Sequence, residues 1–193
     1  RKGLEVLLGA MKYLPQNFAL WIAADGPGID EMHRLYESDT RISWLGRITE
    51  TDKLDRLSRC SVFCAPSLRG ESFGIVLLEA MAAAAPLVTT DIDGYRNVAT
   101  HELNALLVAP GDEEQLAKSL TRIVNDTNLS QRLVAGGLKR AEDFSMQRLA
   151  KEYVLIYERL LAAEKNEEIV VQPNKLLSMF EHRVLRRPQV GQK

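Results

Sequence analysis

A chain of 193 residues is long enough for one domain with a substantial buried core. Hydrophobic residues make up 46% and charged residues 26%, the ordinary balance of a soluble globular protein. The formal net charge of −1 gives no whole-chain reason to expect nucleic acid as a partner, so an anionic ligand has to be caught by local geometry. The longest apolar run, Ala80 to Val88, is far too short to span a bilayer. Cys60 and Cys64 read as buried free thiols in a reducing compartment, because neither a disulfide framework nor a zinc spacing accompanies them. No signal peptide opens the chain. The first residue is Arg rather than Met, so the sequence is expected to continue upstream.

From Lys2 to Leu14 the apolar residues recur with helical spacing. Phe18–Ala24 is a short apolar run ended by Asp25-Gly26-Pro27-Gly28, which reads as a strand and tight turn. A helix follows from Ile29 to Tyr36, then the strand Ile42–Leu45. Thr51 is taken as N-cap of a helix through Leu57. The strand Val62–Ala65 stops at Pro66, a helix covers Phe73–Ala83, and Leu87–Thr90 is the next strand. Asp93-Gly94 reads as a turn, Ala105–Val108 as the last strand. Helices are then expected at Glu113–Val124, Leu129–Ala141 and Met146–Glu164. Strands that are continuous apolar runs, alternating with helices, argue a parallel sheet covered on both faces. The expected fold is a Rossmann-like, doubly wound α/β domain over residues 1–164, with a basic tail at 165–193.

Ligands of such sheets sit beyond the carboxyl ends of the strands. The stretch from Cys64 to Glu79 supplies strand, loop and helix at that place. Ser72 is expected to cap the helix, leaving the amides of Phe73, Gly74 and Ile75 free for an anion such as a diphosphate. Gly74 is read as letting the ligand approach the backbone. Glu71 precedes the helix and Glu79 lies about two turns into it, roughly 10 Å from Ser72 at ~1.5 Å per residue. That is about the distance from a sugar to a ribose across a diphosphate. Glu79 falls in an apolar stretch where an idle buried carboxylate would be costly. The histidines His33, His101 and His182 show no metal spacing, so no metal is expected. Ser67 and Ser72 lack a nucleophile elbow.

Glu71, seven residues, then Glu79, with Ser72-Phe73-Gly74 between them, resembles the signature of retaining glycosyltransferases of the GT-B fold. Arg1-Lys2-Gly3, Cys64-Ala65-Pro66 and Gly70–Leu77 are similar to the phosphatidyl-myo-inositol mannosyltransferases of actinobacteria, which use GDP-mannose. The likeness runs to about Leu160 and implies the C-terminal, donor-binding half of that fold. An upstream strand and an acceptor domain are then expected before Arg1. The resemblance gives catalytic roles to Glu71, on the transferred sugar, and Lys2, on the diphosphate with Arg1 beside it. Ile48 and Lys53 would frame and bond the base, amides from Gly74 to Val76 the phosphates, and Glu79 the ribose. A donor-only Lys53 suits the O6 of guanine. No cofactor beyond the donor nucleotide sugar is implied.

Asp93–Asn97 replaces a widespread Gly-Gly-x-Pro-Glu turn, and its Arg96 favours the lipid-mannosyl subgroup. Gly is usual within the segment that here reads Ala82-Ala-Ala-Ala-Pro86. The expected partners are a nucleotide sugar and a lipid or glycan acceptor. The expected location is cytoplasmic, with the basic run 175–187 as a possible contact with the inner membrane face. Two other classes stay open at this point: a nucleotide-sugar 2-epimerase of the same architecture, and a non-catalytic nucleotide-sugar-binding module.

Overall fold

The computed structural model describes residues 1–165, the last three by backbone alone. Two compact units divide between Phe144 and Ser145. The second contains α8 (Met146–Lys165), so the change in composition at 164 falls at the end of that helix. The basic tail and His182 lie outside the described residues.

Within the first unit, α1 (Leu4–Ala10) runs into a 3-10 turn at Met11–Tyr13. Then come β1 (Leu20–Ile22), α2 (Ile29–Leu35), β2 (Ile42–Trp44) and α3 (Glu50–Arg59). They are followed by β3 (Phe63–Ala65), α4 (Ile75–Ala82), β4 (Leu87–Thr90) and α5 (Asp93–Arg96). The unit closes with β5 (Leu106–Val108), α6 (Glu113–Asn125) and α7 (Thr127–Asp143). Every strand pairing is parallel: β1 with β2, and β3–β4–β5 in that order. All four residues of β4 are buried, and its side chains alternate between two cores. Val88 joins Leu8, Leu106, Leu116 and Ile123 on one side, while Leu87 joins Leu77, Met81 and Tyr95 on the other. A period of two with both sets buried is what a sheet covered on both faces requires.

Several element bounds shift by one or two residues from the sequence reading, and three differences bear on the site. Thr49, not Thr51, caps α3: its oxygen accepts from the Asp52 amide at 3.1 Å, and its hydroxyl donates to the Asp52 carboxylate at 2.7 Å. A carboxylate three residues after Thr49 makes that threonine the better cap. The turn expected at Asp93-Gly94 is the short helix α5. Ser72 does not cap α4, because the chain turns left-handed at Gly74 (φ 88°) and the helix begins only at Ile75. Both cysteines are free; burial pushes the Cys64 thiol up to about 12, and Cys60 donates to the Leu57 carbonyl at 3.3 Å.

The end of α4 explains the unusual alanine run. Ala85 N–H donates to the Ala80 carbonyl and Ala84 N–H to that of Met81, the paired bonds of a Schellman ending. Ala84 takes the left-handed conformation (φ 59°) that this ending needs, one that favours glycine. Ala84→Gly is therefore expected to stabilise the domain by about 0.5–1 kcal/mol, the relieved strain being partly offset by unfolded-chain entropy. Denaturant titration checks this; an equal or lower midpoint would show that the turn carries no strain.

Candidate active site

Two loops leave the carboxyl ends of adjacent strands and meet. One follows β3 through Pro66–Gly74, the other follows β4 into α5. Together they border a cleft of about 420 Å³ lined by Arg69, Gly70, Glu71, Asp91, Asp93 and Arg96, among others. The N-terminal segment lies beside the first loop. Leu68 N–H donates to the Arg1 carbonyl at 2.9 Å, and buried Gly3 (φ 72°) faces the Pro66 carbonyl with no room for a Cβ. This seating brings Lys2 to the loop, and its Nζ donates to Oε1 of Glu71 at 2.6 Å. Arg1 lies over Gly70.

Glu71 is nearly covered, with 13% of its side chain exposed. Burial pushes its carboxyl up, but hydrogen bonds from Lys2 and Ser67, with the charges of Lys2 and Arg1, outweigh this and leave it below its ordinary value. An acid held more weakly protonated in the folded than the unfolded state stabilises the fold above its ordinary value of 4.5. That contribution is lost as the pH falls through the lower folded value. Lys2→Met removes the principal lowering bond, so its melting temperature is expected to fall less steeply than the parent's below pH 4.5. Parallel acid limbs in thermal melts would contradict the ion pair.

Glu79 sits on the fifth residue of α4, one turn in rather than two. Four steps from Ile75 cover about 6 Å at ~1.5 Å per residue, shorter than the span expected from a helix starting at Ser72. Nor is its carboxylate idle or deeply buried. It is 33% exposed and accepts from Lys53 Nζ at 3.1 Å, while Lys53 also meets Glu50 at 2.7 Å. Those bonds, Glu50 first and Glu79 second, hold the Lys53 ammonium above its ordinary value. Lys53 is thus mostly covered, with 27% of its side chain exposed, and α3 is docked toward α4. Ile48, half-buried, lies in the loop just before the Thr49 cap.

Between the two carboxylates lies the start of α4. Among the described residues no group accepts from the amides of Gly74, Ile75 or Val76. Ile75 is exposed, Phe73 and Val76 are half-buried, and the Ser72 carbonyl accepts from Asn97 Nδ2 at 3.3 Å. Gly74 is buried, and a Cβ there would stand 2.7 Å from the Tyr95 ring, so the glycine makes room for that tyrosine. The site therefore offers free amides at a helix start, with one lysine–carboxylate pair on either side. Anions and polyols both find partners in such a set. Among the described residues no group of three or more His, Cys, Asp or Glu side chains is placed to hold a metal.

The sequence model described as glycosyl transferases group 1 matches residues 1–140. The chain belongs to this family. A phosphatidyl-myo-inositol mannosyltransferase of Mycobacterium leprae is 31% identical over 88% of the chain and 46% of its own length. The lipopolysaccharide core biosynthesis glycosyltransferase LpsD of Rhizobium meliloti is 31% identical over 84% of the chain and 47% of its own length. The chain thus spans about half the length of these curated relatives. Among solved structures, a sucrose-phosphate synthase from Thermosynechococcus elongatus superposes with a TM-score of 0.70 at 28% identity, over 84% of the chain and 43% of that one. HepE of Anabaena, solved with UDP, superposes at 0.74 and 22% identity, over 82% and 45% respectively. The α/β architecture is that of GT-B glycosyltransferases.

In this group 1 glycosyl transferase chain the structure adds contacts around Glu71 and Arg96 that sequence reasoning did not foresee. Ser67 Oγ donates to Glu71 Oε1 at 3.1 Å and lies 2.9 Å from the Tyr95 hydroxyl. Gly94 packs directly on the Glu71 carbonyl. Arg96 is engaged by Asp91 at 2.6 Å and Asp93 at 2.9 Å. The available signal was position: Ser67 and Asp91 lie just past strand ends, where sites of this architecture gather.

Proposed function

We propose that this chain binds the donor nucleotide sugar of a retaining hexosyltransferase, and that the hexose is mannose carried as GDP-mannose. The observation that carries the reading is the placement of Glu71 and Glu79 on either side of the free amides at the start of α4. The amides and Lys2 meet the diphosphate, Glu71 the hexose hydroxyls, Glu79 the ribose, and Lys53 with Ile48 the base. Preorganised donors around a leaving diphosphate supply the largest electrostatic gain in such a transfer. Lys2 then exchanges Glu71 for a phosphate oxygen as the donor enters.

Retention follows, in this reading, from attack on the same face that the leaving group departs from. The acceptor hydroxyl gives its proton to the departing phosphate, no covalent nucleophile intervenes, and no cofactor or resident metal takes part. Likeness to the mycobacterial mannosyltransferases supports mannose as the sugar and a lipid acceptor such as phosphatidyl-myo-inositol, and a donor-only Lys53 supports guanine as the base. Acceptor contacts come from outside this chain, and peripheral contact with a membrane belongs to the same proposal. No helix among the described residues is long and apolar enough to cross one.

Calorimetric titration of the chain with GDP, GDP-mannose, UDP and UDP-glucose tests the reading. Saturable binding is expected for all four, weak, and tightest for GDP-mannose. Absence of any nucleotide binding would remove the donor-site assignment; preference for the uridine pair would remove GDP-mannose.

A further inference from the structure

Behind Glu71 lies a polar chain that the donor assignment leaves unused. Ser67 and Tyr95 are 2% and 1% exposed, among the most buried polar groups of the domain. A carboxylate only accepts, so Ser67 must spend its one proton on Glu71 Oε1. The Ser67 oxygen then takes the proton of Tyr95, which fixes the direction of the chain: Tyr95 to Ser67 to Glu71. Both ends are anchored. Thr90 Oγ1 donates to the Ser67 carbonyl, and the Tyr95 ring fills the space that Gly74 leaves open. Among the described residues Glu71 Oε2 has no partner, so all fixed bonds gather on Oε1.

We propose that Tyr95 and Ser67 are positioning residues for the donor sugar, holding Oε1 of Glu71 so that Oε2 is presented to a sugar hydroxyl. This rests on the reading that Glu71 contacts the transferred hexose. Lys2 shares Oε1 but is drawn to the diphosphate when the donor binds. Ser67 is then the remaining donor that fixes the carboxylate, and Tyr95 polarises and orients it. Hydrogen bonds in series reinforce one another in a low-dielectric interior. Burial pushes the Tyr95 phenol up, so it stays protonated, and a donor, throughout the neutral range. Packing alone does not call for this hydroxyl: a phenylalanine ring would fill the same space without the desolvation cost of an O–H.

The test compares the affinity of GDP with that of GDP-mannose, because their ratio isolates the sugar contact. In Tyr95→Phe and Ser67→Ala the ratio is expected to fall about threefold to tenfold, the worth of one hydrogen bond, while GDP affinity stays within about twofold. Ser67→Ala is also expected to raise the pH at which GDP-mannose binding is lost on acidification, since Glu71 loses a bond to its ionised form. Circular dichroism confirms that each variant is folded, and Ser67→Ala carries the test alone should Tyr95→Phe not fold. A purely structural role would lower both affinities together and leave the acid midpoint in place; that result overturns the proposal. An unchanged ratio in folded Tyr95→Phe and Ser67→Ala, with Glu71→Gln reducing it, overturns the positioning role and leaves the donor reading intact. If Glu71→Gln itself leaves the ratio unchanged, the sugar contact is wrong and the proposal falls with it.

Discussion

Gly94→Ala is expected to cost about 3 kcal/mol and to abolish nucleotide-sugar binding. A Cβ at this position would stand 1.8 Å from the Glu71 carbonyl oxygen and 2.5 Å from its carbon. Both are backbone atoms, so no side-chain rotation relieves the clash. Either α5 backs away, uncovering Tyr95, or the loop from Ser67 to Gly74 moves and takes Glu71 and the start of α4 with it. Overpacking a core ordinarily costs about 1–3 kcal/mol, and a backbone-to-backbone contact belongs at the upper end. For a domain of this size that corresponds to a melting temperature lower by about 6–12 °C. By contrast nothing lies within 4 Å of a Cβ added at Gly26, Gly28 or Gly46, where only the left-handed backbone resists substitution. A Gly94→Ala protein that melts with the parent and still binds the donor would show that the two loops do not meet this closely.

Glu79→Ala is expected to weaken GDP binding about 10- to 100-fold with little loss of stability. A carboxylate accepting from ribose hydroxyls makes charge-assisted bonds worth about 1.5–3 kcal/mol, which sets that range. The alternative is that Glu79 serves only its ion pair with Lys53. Both partners are partly exposed, at 33% and 27%, and such pairs are worth about 0–1 kcal/mol. Calorimetry and thermal melts on the same samples separate the two roles. Unchanged GDP affinity with a small drop in melting temperature would leave Glu79 as a surface ion-pair partner. Glu79→Gln keeps the shape and removes the charge, so its affinity is expected between those of the parent and Glu79→Ala.

Much of the architecture was legible because its signals are local. Short runs rich in apolar and β-branched residues, such as Leu87–Thr90, mark the strands, and each strand lies within about two residues of its expected place; only β4 is buried throughout. The motif around Glu71 and Glu79 was legible for the same reason: it is short, contiguous and placed after a strand. Errors came where two signals compete within a few residues. Thr49 and Thr51 are both acceptable caps, and only the reciprocal bond with Asp52 selects the first. Ser72 is a good cap by type, but the left-handed turn at Gly74 moves the helix start past it, shortening the distance to Glu79.

The pair of carboxylates and the helix that follows Glu71 are properties of the sequence by itself, while the residue at which that helix starts is not. The parallel α/β class is also such a property, since alternation is written along one stretch of chain, whereas the motif around Glu71 carries only a resemblance to the glycosyltransferases. The tertiary structure decided what holds each carboxylate. Lys2 is 69 residues from Glu71 and Lys53 is 26 from Glu79, separations over which no periodicity connects two side chains. Tyr95 reaches Ser67 across 28 residues because β3 and β4 are neighbours in the sheet. Gly94 looked like a turn residue until the Glu71 carbonyl was found pressed against it. Contacts between loops depend on which strands pair and in what register, and that is settled only when the whole core closes.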